Sequence, residues 1–215
     1  GIVVDPDVDR LAIICEDGSA FGEEYTLVTV ADYVLGKTPG NTVSNLSSTR
    51  ALRDITNKYN TIYMASAVGE VNVVEKMKDI NAIIGGEGNG GVIYPSLHYG
   101  RDALVGIALF LTQLAERNIS VSSLRDSYPR YFISKNKIEL TPEIDIGDIL
   151  TTLKKKFKRE EITTIDGLKI DFEKGWVHFR KSNTEPIIRI YAESQSQKEA
   201  DALANKMITE IKTIL

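Results

Sequence analysis

Cysteine is all but missing from this sequence. Cys15 is the only one in 215 residues, so an intramolecular disulfide framework is excluded. A lone thiol in the apolar run "LAIIC" fits a reducing compartment, and a cytoplasmic location is expected. Long hydrophobic runs are lacking too. No stretch approaches the ~18 apolar residues of a spanning helix, so a membrane is not among the expected partners. Excess positive charge is likewise lacking: 26 basic residues face 30 acidic ones, a net charge of −4. No global field invites nucleic acid, so any anion site must be local. Internal repeats and low-complexity tracts are absent. The chain opens on Gly1 and runs straight into Ile2, Val3 and Val4. A start in mid-strand predicts the C-terminal part of a longer protein. What remains is an ordinary globular composition, 42% hydrophobic and 26% charged, in a length that suits one large domain or two small ones.

Short apolar runs at 1–4 and 11–15 predict two strands. Leu27, Val30, Ala31 and Val34 recur at helical spacing between Glu23 and Leu35. Strands are expected at 41–46, 61–67 and 81–86. They alternate with helices at 47–59, capped by its serines or threonine, and at 70–78. A helix over 101–118, apolar nearly all round, is expected to be buried. Such alternation predicts βαβ units and a mixed, mainly parallel sheet. Beyond a short helix near 122–127 the pattern changes. Residues 134–145 read as a polar linker running into a strand. A helix to about Phe157, a turn at Asp166-Gly167, strands at 168–173, 175–180 and 187–193, and an amphipathic helix at 198–215 follow. Ser196 and Glu199 form a capping box at the start of that last helix. The fold class is thus α/β followed by a smaller α+β domain with an antiparallel sheet. The expected divisions are 1–20, 21–133 and 134–215.

Three loops carry chemistry. In "DPDVDR", Asp5, Asp7 and Asp9 alternate. In a near-extended segment they fall on one side, and their mutual repulsion calls for a hard cation such as Mg²⁺ or Ca²⁺. An EF-hand loop is rejected, because its sixth position needs Gly and holds Arg10, and the flanks are β-rich. The alternative is a solvated acidic turn bent by Pro6. The second loop, "GGEGNGGVIYPSLHYGRD", carries G-x-G-x-x-G at Gly86, Gly88 and Gly91. A dinucleotide fingerprint must open a helix, whereas these glycines run into "VIYP", which reads as loop. Glycines that bring the backbone close to a polyol, with Glu87 and Asn89 presenting polar groups to its hydroxyls, fit better. A merely demanding turn is the plain alternative. The third loop, "RKSNTEPIIR", sets Arg180 and Arg189 around Ser182, Asn183 and Thr184. Two guanidinium groups beside hydroxyls and free backbone N–H groups suit a phosphate. A surface hairpin with scattered charges is the alternative.

Taken together and in this order, the three loops resemble the α-D-phosphohexomutases, a family that includes phosphoglucomutase, phosphomannomutase and phosphoglucosamine mutase. Members carry D-G-D-x-D-R, G-E-x-S/N-G and R-x-S-N/G-T-E/T-P followed by Arg; here these stand as "DPDVDR", "GEGNGG" and "RKSNTEPIIR". The resemblance implies a four-domain enzyme with a phosphoserine in its first domain. It interconverts hexose or hexosamine 1- and 6-phosphates through a 1,6-bisphosphate, most closely as the phosphoglucosamine or phosphomannomutase types do. It implies Mg²⁺ on Asp5, Asp7 and Asp9, and Arg10 beside the transferring group. It places Glu87 and Asn89 on the sugar, and Arg180, Ser182, Asn183, Thr184 and Arg189 on the phosphate that is not transferred. Residues 1–20 would then be a remnant of the second domain, 21–133 the third and 134–215 the fourth, inactive without the missing half.

Three departures stand out. Pro6 replaces the usual Gly. Gly91 stands where many members have His, with His98 seven residues on. "AVGEV" puts Glu70 where many have "V-G-H". The general acid/base is therefore open among Glu70, His98 and Arg50. A nucleotide-dependent oxidoreductase and a non-catalytic sugar-phosphate binding module are the competing readings.

Overall fold

The computed structural model describes residues 1–139, 146–182 and 185–214. The chain divides into two compact units, Gly1–Pro129 and Arg130–Leu215. No helix among the described residues is long and apolar enough to cross a membrane.

The first unit opens with a two-stranded antiparallel ribbon, β1 (Ile2–Val4) and β2 (Leu11–Ile13). Helix α1 (Glu23–Lys37), β3 (Asn41–Asn45), α2 (Ala51–Lys58), β4 (Tyr63–Ser66), α3 (Glu70–Asp79), β5 (Ala82–Glu87), β6 (Gly91–Ile93), α4 (Ala103–Arg117) and α5 (Val121–Asp126) follow. The sheet order is β4-β3-β5-β6. Strand β3 runs parallel to both β4 and β5, and β6 returns antiparallel to β5.

Three sequence expectations for this unit need correction. The "VIYP" stretch is not all loop, because Gly91–Ile93 closes a hairpin on β5. Helix α2 starts at Ala51, not at the serines, and its N-cap Arg50 gives no side-chain cap, although Thr49 Oγ1 one residue earlier accepts the Ala51 N–H at 3.3 Å. The serines before it form a turn held by the Ser48 N–H on the Asn45 carbonyl, 3.1 Å. Helix α4 buries only one face, through Ala103, Gly106, Phe110 and Gln113, while Leu104 is 64% exposed. The helix buried on most sides is α1, from Tyr25 to Leu35, which reads as less apolar because it carries Thr26, Thr29 and Asp32, all buried. Its polar groups are satisfied, as burial requires. The Thr26 hydroxyl donates to the Leu11 carbonyl (3.0 Å), and that of Thr29 to Gln113 Oε1 (2.6 Å). Asp32 accepts from Lys58 Nζ (3.2 Å), the Tyr59 hydroxyl (2.8 Å), Arg117 and the Tyr128 hydroxyl (3.1 Å). Burial pushes its carboxyl up, but Tyr59, Lys58 and Arg117 outweigh this and hold it below the usual range.

The second unit comprises β7 (Phe132–Glu139), α6 (Ile146–Lys156), β8 (Glu161–Thr163), β9 (Leu168–Phe172), β10 (Gly175–Lys181), β11 (Ile187–Ser194) and α7 (Gln197–Ile214). Its sheet, ordered β7-β11-β10-β9-β8, is antiparallel throughout. One face packs Val177, Phe179, Ile188 and Ile190 against Leu153, Met207 and Ile211 of the two helices. Of the expected linker, residues 134–139 lie inside β7. An edge strand with Lys135, Asn136 and Lys137 reads as a linker because edges are kept polar. The rest of it, 140–145, lies outside the described residues. Half of the capping box forms: the Glu199 N–H donates to Ser196 Oγ (3.2 Å), but the Glu199 carboxylate takes the Ser194 hydroxyl (3.3 Å).

Candidate functional site

From β3 the chain leaves toward β4, then crosses back over β3 to β5 on its other side. Connections diverge at the carboxyl ends of β3 and β5, where open α/β sheets bind ligands. Asn45 ends β3 and Glu87 ends β5, and they meet: Asn45 Nδ2 donates to Glu87 Oε1 at 2.8 Å. Glu87 is buried and also accepts from the Gly69 N–H (3.2 Å) and Arg101 Nη1 (2.7 Å). Asn45 is itself oriented by the Ser47 N–H and Ser48 hydroxyl on its Oδ1, both at 3.0 Å. Ser48 Oγ in turn accepts the Gly88 N–H at 2.9 Å, tying the two strand ends together.

The Gly-rich loop is the β5–β6 hairpin, and its glycines serve backbone contact. A Cβ on Gly86 would sit 2.0 Å from the Gly91 carbonyl oxygen. Gly90 has φ 88°, and a Cβ there would sit 2.4 Å from the Leu11 carbonyl oxygen. The Leu11 N–H donates to the Gly90 carbonyl (3.0 Å), and Arg10 bridges Gly91. The hairpin is therefore seated on the strand that follows the aspartates. Its glycines open no helix, which removes the support for the oxidoreductase reading. Asn89 Oδ1 accepts the Gly91 N–H at 3.2 Å and shapes the turn.

The aspartate loop is not extended. Pro6 and Val8 (φ 56°) fold it into a turn closed by the Val8 N–H on the Asp5 carbonyl (3.0 Å). The expected one-sided row of three carboxylates does not form. Among the described residues no three acidic, histidine or cysteine side chains are gathered to hold a metal ion. Asp5 Oδ1 instead accepts the N–H groups of Asp9 (3.1 Å) and Arg10 (3.2 Å). Desolvation pushes the Asp5 carboxyl up, and these bonds together with the Arg10 charge bring it below its ordinary value. Arg10 Nε lies 3.8 Å from Asp5 and 3.9 Å from Asp9. Asp9 Oδ2 binds Arg101 Nη2 at 2.6 Å, while its Oδ1 is buried without a hydrogen-bond partner. Hard oxygen donors with one atom left unsatisfied fit a small divalent cation in kind, although Asp7 does not join them in this arrangement.

Arg101 belongs to none of the three motifs. It stands at the end of the Gly-rich stretch, just before the α4 N-cap Asp102, and its neighbours come from three separate segments. Besides Asp9 and Glu87 it meets Glu70, whose Oε1 accepts the Arg101 N–H (2.7 Å) and whose Oε2 lies 3.5 Å from Nε. Of the acid/base candidates, Glu70 is thus inside the cluster. His98 is exposed and paired with Asp102 at 3.0 Å. Arg50 is buried at the N-cap of α2.

In the second unit, Arg180 of β10 and Arg189 of β11 are direct cross-strand partners and so share one face. Arg180 lies 3.8 Å from Asp166, and Arg189 3.0 Å from Glu185. Ser182 is buried, and its N–H donates to the Ile187 carbonyl (3.0 Å). That amide is therefore not one of the free donors expected here. Asn183 and Thr184 lie outside the described residues. His178, two residues before Arg180, is driven down to about 4 by burial, and its Nε2 sits 2.6 Å from the Asp166 carbonyl.

Two family descriptions match the chain. "Phosphoglucomutase/phosphomannomutase, alpha/beta/alpha domain III" covers residues 22–131, and the C-terminal domain of the same family covers residues 140–210. A phosphoglucosamine/phosphogalactosamine mutase of Sulfurisphaera tokodaii is 33% identical over all of this chain and 48% of its own length. The chain thus spans about half the length of the curated relatives it matches. Among solved structures, a phosphoglucomutase/phosphomannomutase family protein of Burkholderia thailandensis has a TM-score of 0.82 at 24% identity. That match covers 99% of this chain and 46% of the other. An Aspergillus fumigatus N-acetylphosphoglucosamine mutase, solved with GlcNAc-6P and magnesium, has a TM-score of 0.70 at 14% identity and covers 98% and 48%.

Proposed function

The chain belongs to the phosphoglucomutase/phosphomannomutase family, and from that premise we propose that it is the sugar- and phosphate-binding part of a phosphohexomutase. In that reaction a seryl phosphate outside these 215 residues meets a hexosamine or hexose monophosphate. A new P–O bond to the free sugar hydroxyl forms as the seryl P–O bond breaks, and the hydroxyl proton passes to a base. The 1,6-bisphosphate then gives its other phosphoryl group back to the serine. The observation that carries this reading is the Asn45–Glu87–Arg101–Asp9 chain of contacts, which joins the carboxyl ends of β3 and β5 to the aspartate loop.

Each residue then has a role. Glu87 and Asn89 read the sugar hydroxyls. Glu70, held by Arg101, takes and returns the hydroxyl proton, in preference to His98 or Arg50. Arg180 and Arg189 anchor the phosphate that stays, with Ser182, Asn183 and Thr184. Arg10 faces the phosphoryl group in transit. Asp5 and Asp9, joined by Asp7 once the turn opens toward the ion, would hold Mg²⁺, which would offset negative charge during transfer. Hexosamine phosphates are the favoured substrates, in keeping with what the Sulfurisphaera relative is named for.

The test is a coupled assay of the full-length protein on glucosamine, glucose and mannose 1-phosphates, beside its Glu87→Gln variant. Loss of a charged hydrogen-bonding partner should lower kcat/KM by about 10² or more with folding intact. A near-normal rate would make Glu87 structural and remove the main support for the proposal.

A further inference from the structure

The cross-strand register of the second unit extends the phosphate row by one residue. Arg180 of β10 pairs with Arg189 of β11, and Arg189 pairs in turn with Lys137 of β7. Directly paired residues project to the same face of a sheet. Three cations therefore stand side by side across three adjacent strands, on the face opposite Phe179, Ile188 and Ile190. Like charges placed directly opposite one another destabilise a sheet, so such a row needs compensation. Two of its members have it: Arg180 is near Asp166 and Arg189 near Glu185. Lys137 is exposed, and its side chain makes no ion pair or hydrogen bond among the described residues.

We infer that Lys137 is a third phosphate-binding cation, which rests on the phosphate reading of the hairpin and extends it. Lys135 and Glu139 flank Lys137 on the same face of β7, so four cations stand against Asp166, Glu185 and Glu139 and leave one positive charge in excess, whereas a phosphate monoester carries roughly two negative charges above its second pKa of about 6. Arginine offers planar, bidentate contacts; a lysine arm adds a mobile point charge that reaches in from the edge strand. Lys137 thus sharpens preference for the dianion, and its contribution weakens with added salt.

The experiment is an NMR titration of the ¹⁵N-labelled chain with inorganic phosphate and with glucosamine 6-phosphate at pH 7.5 and low salt. Wild type, Lys137→Gln, Lys137→Arg and Arg180→Ala are compared. An exposed charge near a phosphate should make Lys137→Gln bind roughly five-fold more weakly, with amide dispersion unchanged. Lys137→Arg should recover most of the affinity, and at pH 5 the gap between wild type and Lys137→Gln should narrow. If Lys137→Gln binds as wild type does while Arg180→Ala loses binding, the role of Lys137 is refuted and the phosphate hairpin stands. If wild type itself shows no shifts at 50 mM of either probe, both are refuted.

Discussion

Replacing Arg101 by Met keeps an apolar arm of similar length and deletes the one guanidinium shared by Asp9, Glu70 and Glu87. The three pairs are unequal. Glu70 is about a third exposed, so water recovers most of that interaction. Asp9 is 21% exposed and contributes moderately. Glu87 is 5% exposed and contributes most. Removing one partner of a buried pair costs about 3–5 kcal/mol, chiefly through the charge left behind. Glu87 would keep its bonds from Asn45 and Gly69, which favours the lower end, about 3 kcal/mol. For a unit of this size that is a fall in Tm of roughly 10 °C. The single tryptophan, Trp176, lies in the second unit, so its fluorescence reports the wrong part of the chain. The assay is urea unfolding followed by amide exchange in β5. In a Glu87→Gln background the stranded charge is gone, and Arg101→Met should cost at least about 1 kcal/mol less. A cost below about 1 kcal/mol, or strict additivity of the two substitutions, would show that the guanidinium does not organise this cluster.

Two further outcomes follow from the packing. Asp32→Asn should cost about 2 kcal/mol at pH 7, because charge-assisted bonds are lost from a buried group. The folded pKa of Asp32 lies below its unfolded value near 4, so its contribution is present above that value and disappears as pH falls through the folded pKa. Wild type and variant should therefore converge in stability as pH falls below that unfolded value, and a gap of constant size would contradict the assignment. Gly86→Ala should open the β5–β6 hairpin at a cost of about 2 kcal/mol or more, since the new methyl would meet the Gly91 carbonyl oxygen. Unchanged exchange of the Val92 amide would refute it.

The sequence revealed the architecture where a pattern is local. The alternation of apolar runs with 3.6-period stretches gave βαβ order, and Asp166-Gly167 with its flanking strands gave the antiparallel half. It failed where context overrides composition. The apolar α4 buries one face because its outer face, including Leu104 and Leu111, has no neighbour within the unit, while α1, seeded with threonines and an aspartate, is buried on most sides. The polar 134–139 stretch is a strand because it is an edge. The site shows the same division. Glu87, Asn89 and the two arginines could be picked out because their loops carry a motif. Arg101 could not, because its partners lie 14, 31 and 92 residues away in sequence, and only folding brings them together. An extended loop would set the aspartates on one side, and Pro6 and the left-handed Val8 prevent it.

The central claim is that this chain binds sugar phosphate while the phosphoryl carrier lies outside it. The most direct measurement is conversion of glucosamine 1-phosphate, with a trace of glucosamine 1,6-bisphosphate and Mg²⁺, by the purified chain alone and after co-expression with the half of the protein that the relatives possess and this chain does not. The expected result is no turnover by the chain alone, turnover on reconstitution, and loss of that turnover in Arg10→Ala. Turnover by the 215-residue chain alone that Arg10→Ala abolishes would contradict the claim, because a phosphoryl carrier would then have to lie within these residues.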